Sequence, residues 1–248
     1  MSPARTLLSC CIITKNEGDR IERCILAARD IVDEIVVVDS GSSDDTVAKA
    51  EALGAKIFHR AWDGYGPQKR FAEDCAGHDW ILNLDADEVL SEALAREIAA
   101  LMRAGPARAG YRFRQVTVYP DRPRPRLFAD AHNYIRLYDR RLMRFAESRV
   151  HDTVDPGPHE IGRLKGAALH FSWRSLAHLG EKLDSYTDQQ ARELKKSRAF
   201  VRLRAPFEYP LQFLRYYFLR AHVTGGAYGV KVAHVIAAAR ARRVRKFL

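Results

Sequence analysis

Trp80-Ile81-Leu82-Asn83-Leu84-Asp85-Ala86-Asp87-Glu88 is the stretch on which the reading of this chain turns. Residues 80–84 have the apolar run of a short buried strand, and the strand delivers three carboxylates separated only by an alanine. Asp85 and Asp87 alternate across extended backbone, so both reach one ligand if the strand ends in a turn there. Paired carboxylates at the carboxyl end of a buried α/β strand suit a hard divalent cation that also holds substrate phosphates. The plainer alternative is that Asp87 N-caps a helix beginning at Glu88 or Val89.

Upstream, residues 7–14 form a first buried strand, 15–18 a polar turn, and 20–29 a helix with Ile21, Ile25, Leu26 and Ala28 at helical spacing. The β-branched run Ile35-Val36-Val37-Val38 has the composition of a parallel-sheet interior. It ends in the Gly/Ser loop 39–46, which caps a helix to about residue 53. A strand at 56–58 and a helix at 68–75 complete the alternation, which predicts a doubly wound α/β sheet. Downstream, 110–119 alternates like a strand, 120–125 is a proline-stiffened loop and 134–138 is another strand, together an antiparallel edge. Residues 175–196 are helical, Pro206 predicts a break, 210–222 is an aromatic-rich helix with Phe213, Tyr216, Tyr217 and Phe218, and 230–247 is a small apolar helix with a basic end. The expected division is a catalytic domain at 1–174 and a basic, aromatic-rich helical extension at 175–248. No internal repeat or low-complexity tract is present.

A chain of 248 residues, 47% hydrophobic and 29% charged, can bury a large core and is not broadly disordered. Its net charge of +10 is concentrated at one end. From Ala191 onward there are fourteen Lys and Arg against Glu193 and Glu208, which points to a polyanionic partner for that segment. An anionic bilayer surface fits the mixture of rings, short apolar helices and arginines better than nucleic acid does. Plain helix–helix core is the competing reading of the aromatic stripe. Cys10, Cys11, Cys24 and Cys75 form no C-x-x-C pair and read as reduced, cytosolic residues. With no signal-like opening segment and no run of eighteen apolar residues, the expected location is the cytosol or the cytosolic face of a membrane.

Three polar clusters follow successive parallel strands: Thr14 to Glu17, Asp39, and Asp85 to Asp87. In a doubly wound sheet these ends share one edge, where ligands bind. The edge suits a nucleoside diphosphate, yet both G-x-x-x-x-G-K-[ST] and G-x-G-x-x-G are missing. Here the chain resembles the inverting glycosyltransferases of family 2, which have a GT-A fold. The matching stretches are Ile12-Ile13-Thr14-Lys15-Asn16-Glu17, Ile35 through Thr46, and Leu82 through Glu88, continued more weakly in Val150-His151-Asp152 and Leu169-His170-Phe171-Ser172. The likeness is greatest to the lipopolysaccharide-core β-glucosyltransferase subgroup. There Val-His-Glu is the usual triplet, so Asp152 is a departure.

The resemblance implies a GT-A type mixed sheet and transfer of a hexose from a UDP-sugar, UDP-glucose by subgroup, to a saccharide or lipid-linked acceptor at the inner-membrane face. It implies Thr14 and Glu17 in the nucleoside pocket, Asp39 on the uracil or ribose, and Lys69 and Arg70 beside the nucleotide. Asp85 would contact ribose or metal, and Asp87 would ligate Mg²⁺ or Mn²⁺. Displacement at the anomeric carbon needs the departing diphosphate neutralised and a base for the acceptor proton. Asp152 is the expected base, with Glu147 and Asp155 in reserve. His170 is expected to close over the diphosphate or metal and His151 to face the acceptor, although a lone histidine beside a strand is often structural. Arg136, with Arg140 and Arg141, is expected to bind an anionic acceptor group or to form a solvated basic face. A sugar-nucleotide nucleotidyltransferase and a non-catalytic, membrane-bound nucleotide-sugar scaffold are the alternatives.

Overall fold

The computed structural model describes residues 5–120, 122–149, 152–191 and 198–246. Its centre is the apolar run β1 (Leu8–Thr14), every residue of which is buried. On one side β1 pairs in parallel with β2 (Glu34–Asp39), which pairs with β3 (Lys56–His59), and on the other it pairs with β4 (Trp80–Asp85). Successive side chains of β1 point to opposite faces, and both faces are covered. Cys10 and Ile12 join Leu82, Leu84, Ile21, Ile25, Leu94 and Ile98 in one core layer. Cys11 and Ile13 join Val36, Val38, Ile81, Ala72, Tyr138 and Phe145 in the other. Truncating Leu82 to Ala in such a layer costs about 2–5 kcal/mol. The four cysteines are free thiols, and burial raises the pKa values of Cys10, Cys11 and Cys24.

The register fixes the site. Thr14 lies beside Asp39, and Ile13 beside Asp85, so the three polar clusters do share one sheet edge. Beyond β4 the sheet turns antiparallel through β7 (Ala131–Asp139), β6 (Gly110–Thr117), β8 (Ile161–His170) and finally β5 (Glu88–Leu90). Only Ala86 and Asp87 separate β4 from β5 in the chain, yet three strands lie between them in the sheet. The sheet must therefore curl until its last strand returns to the end of β4. Helices α1 (Ile21–Ala28), α2 (Thr46–Ala52), α3 (Tyr65–Cys75) and α4 (Glu92–Ala104) complete the α/β unit.

Strand β5 corrects the reading of Asp87 as a helix cap. Glu88 and Val89 pair with His170 and Leu169, and this ladder overrides local helix signals. Helix α4 starts later, where Ser91 Oγ accepts from Leu94 N at 3.3 Å.

The chain divides into two compact units, residues 1–116 with 131–170 and residues 117–130 with 171–248. The second unit therefore recruits the proline-rich loop as well as the helical extension. It contains α5 (Leu176–Ala191), α6 (Arg198–Leu214), a π-turn over Arg215–Leu219, a 3₁₀ turn over His222–Gly225, and α7 (Gly226–Arg245). Val232 and Ile236 of α7 pack with Tyr119, Trp173 and Leu179. The break expected at Pro206 does not occur, because α6 runs through both Pro206 and Pro210. Each proline removes one N–H and crowds a carbonyl, but a spacing of four places both disruptions on one side of the helix. Helix α7 begins four residues before the expected 230. Residues 192–196 and 247, read as helical from sequence, lie outside the described residues. Among the described residues, no helix is long and apolar enough to cross a membrane.

Candidate active site

Two loops at the sheet edge are laced together by side chain–backbone hydrogen bonds. Asn16 adopts a left-handed φ of 56°, a conformation asparagine tolerates. Its N–H donates to Ser42 Oγ at 2.8 Å, and its Oδ1 accepts from Ser43 N at 2.8 Å. Glu17 N donates to Thr46 Oγ1 and Gly18 N to Asp44 Oδ2. Buried Asp39 turns the second loop by accepting from Gly41 N and Ser42 N, both at 2.9 Å. Thr14 Oγ1 is buried beneath this rim with no hydrogen-bond partner, the kind of orphan that a bound group satisfies.

Below the rim lies a buried square of charge. Lys69 on α3 is 0% exposed and Arg136 on β7 is 3% exposed. Lys69 Nζ donates to Asp85 Oδ1 at 2.7 Å and to Asp152 Oδ2 at 3.1 Å. Arg136 donates to Asp85 Oδ2 at 3.3 Å and to Asp152 Oδ2 at 2.9 Å. Asn83 Oδ1, inside β4, accepts from both cations, at 2.9 and 2.8 Å. Phe145 packs against both cations, 5.0 Å from Lys69 and 5.8 Å from Arg136. Two buried cations and two carboxylates cancel, which makes their burial tolerable. Burial alone would raise the Asp85 pKa, but the Lys69 and Arg136 charges outweigh it and lower it.

Asp152 reaches this square from a hairpin whose described arms, 144–149 and 152–155, are joined where Ala146 N donates to Thr153 O and Asp155 N to Arg144 O. The hairpin presses on the start of α3, where Gly66 N donates to Ser148 O at 3.0 Å. A Cβ at Gly66 would stand 2.0 Å from Ala146 O, so only glycine permits the approach. Buried Glu73 anchors the other side, accepting from Tyr138 OH at 2.8 Å and Phe145 N at 3.1 Å.

Across the Ala86 turn the environment changes. Asp87 Oδ2 is 3.3 Å from His170 Nε2 at the end of β8 and 3.6 Å from Arg20 NH1. Arg20 Nε also donates to Glu17 Oε2 at 2.6 Å, which ties the first loop to Asp87. Burial pulls the His170 pKa down, but its hydrogen bond to Asp87 and the nearby Asp87, Glu88 and Asp85 charges raise it overall. Neighbouring Glu88 is pushed up to about 7, first by burial and then by the Asp85 charge. A carboxylate oxygen and an imidazole nitrogen this close suit Mn²⁺ or Mg²⁺. Among the described residues no group of three His, Cys, Asp or Glu converges on one point. An ion there would thus complete its shell with substrate oxygens and water, as Mg²⁺ commonly does.

The structure thus gathers Asp85, Asp152, Lys69 and Arg136 into one cluster and places Asp87 beside His170. Arg136, expected on an acceptor surface, is instead buried among the carboxylates. Arg140 donates to Ala76 O and Arg141 to Asp139, so both tie down the turn that follows β7. Arg70 donates to Phe145 O at 2.9 Å. Of the reserve bases, Glu147 is exposed near Arg70 and Asp155 caps its own turn at Gly157 N. His151 lies outside the described residues. Asn83 and Arg20 were not singled out from sequence. A polar residue within a buried apolar strand was the signal for Asn83.

The sequence pattern of glycosyl transferase family 2 matches residues 9–158. An uncharacterized glycosyltransferase of Rickettsia felis is 37% identical over 96% of this chain and 88% of its own length. The lipopolysaccharide core biosynthesis glycosyltransferase LpsC of Rhizobium meliloti is 29% identical over 85% of this chain and 80% of its own. Among solved structures, the glucosyl-3-phosphoglycerate synthase of Mycobacterium tuberculosis with Mn²⁺ and UDP-glucose is 24% identical, with a TM-score of 0.37. That overlap covers 47% of this chain and 44% of the solved one.

Proposed function

The chain belongs to glycosyl transferase family 2, and from that premise we propose that it moves a hexose from a UDP-sugar to a saccharide or lipid-linked saccharide, with inversion and metal assistance. The observation that carries this reading is the convergence of Asp87 and His170, 3.3 Å apart, at the sheet edge that also holds Asp85 and Asp152. Thr14, Glu17 and Asp39 line the nucleoside side of that edge. Asp87 and His170 would hold Mg²⁺ or Mn²⁺, which would supply charge neutralisation to the departing diphosphate. Asp85, clamped between Lys69 and Arg136, fixes the floor of the donor pocket and cannot swing away. Asp152, hydrogen-bonded to the same cations, receives the acceptor proton. The proton leaves the acceptor hydroxyl for Asp152 as its oxygen forms the new C–O bond and the bond from the sugar to the diphosphate breaks.

UDP-glucose as donor and the lipopolysaccharide core as acceptor are the finer reading. Resemblance to the core β-glucosyltransferases and the similarity to LpsC support it. The basic extension supports placing the enzyme at the cytosolic face of the inner membrane, where such an acceptor is reached. The test is nucleotide release from UDP-glucose, UDP-galactose and their N-acetylated analogues with core saccharide and Mn²⁺, followed by proton NMR of the product. UDP release with a β-linked product is expected. An α-linked product would overturn inversion, and absence of turnover with every donor would overturn the UDP-sugar assignment.

A further inference from the structure

Helix α6 is turned inside out. Its buried side carries Glu208 and Gln212, at 0% and 6% exposure, whereas Phe207, Leu211, Leu214 and Phe218 are 51–60% exposed. Spacings of four, three and four put those apolar residues on one face across the last turns of α6 and the π-turn. A helix on a water-facing surface has the opposite arrangement. The buried polar pair is satisfied within the helix, because Glu208 accepts from Arg204 Nε at 2.6 Å and from Gln212 Nε2 at 3.0 Å, and the Tyr209 OH–His234 Nδ1 hydrogen bond of 2.7 Å fixes α6 against α7. The apolar face is thus held toward the outside.

A second apolar element from the same compact unit is fixed beside the turn that follows α6. Arg126 NH1 donates to Phe128 O at 2.8 Å and to Ala221 O at 3.0 Å, and Thr224 Oγ1 donates to Leu127 O at 2.7 Å. These bonds hold Phe128 at a left-handed φ of 54°, a conformation unfavourable for a bulky residue. Leu127 and Phe128 emerge 73% and 80% exposed, near Leu219 and Val223, which are exposed as well. Eight large apolar side chains left in water on one unit exceed scattered surface exposure.

Around them the charge is positive. Arg122 and Arg124 line a hollow of about 360 Å³ with Tyr119, Thr224 and Gly225. Arg215, Arg220 and Lys231 are exposed on the same unit. We propose that the outer face of α6, the 215–223 turn and the 122–128 loop form a docking surface for an anionic phospholipid bilayer, with Leu127 and Phe128 inserting and the arginines meeting lipid phosphates. This inference rests on the membrane-associating reading of the extension and assigns it to a face. Charge complementarity selects lipid: a second copy meeting this face across a twofold axis would oppose arginines to arginines. Rings and leucines entering the acyl boundary with guanidiniums at the headgroups is the arrangement of interfacial helices.

The experiment is co-sedimentation of the full chain with phosphatidylcholine vesicles, with and without about 30 mol% phosphatidylglycerol. Wild type binds the anionic vesicles. The triple variant Leu211→Ser, Leu214→Ser, Phe218→Ser binds about tenfold or more weakly, and Leu127→Ser with Phe128→Ser about threefold to tenfold more weakly. Both should keep the wild-type melting temperature, since the altered side chains are exposed. If both bind like wild type while Arg242→Gln, Arg245→Gln, Lys246→Gln abolishes binding, the face is wrong and the membrane reading stands. Wild type that ignores anionic vesicles overturns both. A wild-type dimer that the triple variant turns into a monomer, with no vesicle binding, identifies a second copy as the occupant and overturns the lipid assignment.

Discussion

Asp85 and Asp87 stand two residues apart in one motif, on either side of the Ala86 turn, and meet opposite surroundings. Asp85 is gripped by Lys69 and Arg136, themselves completely or almost completely buried, in a square that Asp152 closes. Asp87 faces His170, with Arg20 behind it. One carboxylate belongs to a self-neutralising frame, and the other belongs to a place where substrate and cation can complete the shell. A motif of alternating carboxylates therefore need not bind as a pair: in the proposed function, the turn between them separates a framing carboxylate from a ligating one.

The largest effect that would sharpen this contrast is on turnover. Asp87→Ala should lower kcat/KM about 10³-fold or more while shifting the melting temperature little. Steady-state kinetics beside a thermal melt reads both, and a protein that unfolds with turnover per folded molecule preserved would erase the distinction. Lys69→Met should do the reverse, costing about 3–5 kcal/mol because Asp85 and Asp152 lose half their compensation. Urea titration measures it, and a loss under about 1 kcal/mol would mean the square is not a frame. Asp152→Asn should slow turnover about 10²-fold while leaving UDP binding intact. Unchanged kcat would remove Asp152 as base.

A smaller effect concerns pH. Glu88 titrates near 7 in the fold against 4.5 unperturbed. A carboxyl raised by folding contributes stability that is present below about 4.5 and lost as pH rises through about 7. Glu88→Gln removes that loss, so its stability relative to wild type should grow by about 1–3 kcal/mol between pH 4.5 and 8. A pH-independent difference would show that Glu88 is not held protonated.

Much of this was legible in the chain because burial on both faces writes parallel strands as unbroken apolar runs, as in residues 8–14 and 35–38. The sheet edge followed from those strands. Strand β8 was not legible, because its residues alternate irregularly between buried and partly exposed and carry Arg163 and Lys165. Three-residue β5 is held by pairing rather than by its own composition. Helix α6 hid behind two prolines whose positions on one side no local rule reports. The charged square was beyond sequence spacing altogether: Lys69, Asn83, Arg136 and Asp152 come from α3, β4, β7 and a hairpin, and only the curl of the sheet brings them together. Arg136 was therefore expected at a surface and lies in the interior.

The most direct measurement is the melting temperature of wild type and Asp87→Ala with UDP, each with and without Mn²⁺. A ligand bound only by the native state raises the transition by mass action. UDP should raise the wild-type transition, Mn²⁺ should enlarge that rise, and Asp87→Ala should keep the first effect while losing the second. An Mn²⁺ increment that survives in Asp87→Ala, or wild type that does not respond to UDP at all, would contradict the assignment of this edge as a metal-assisted nucleotide-sugar site.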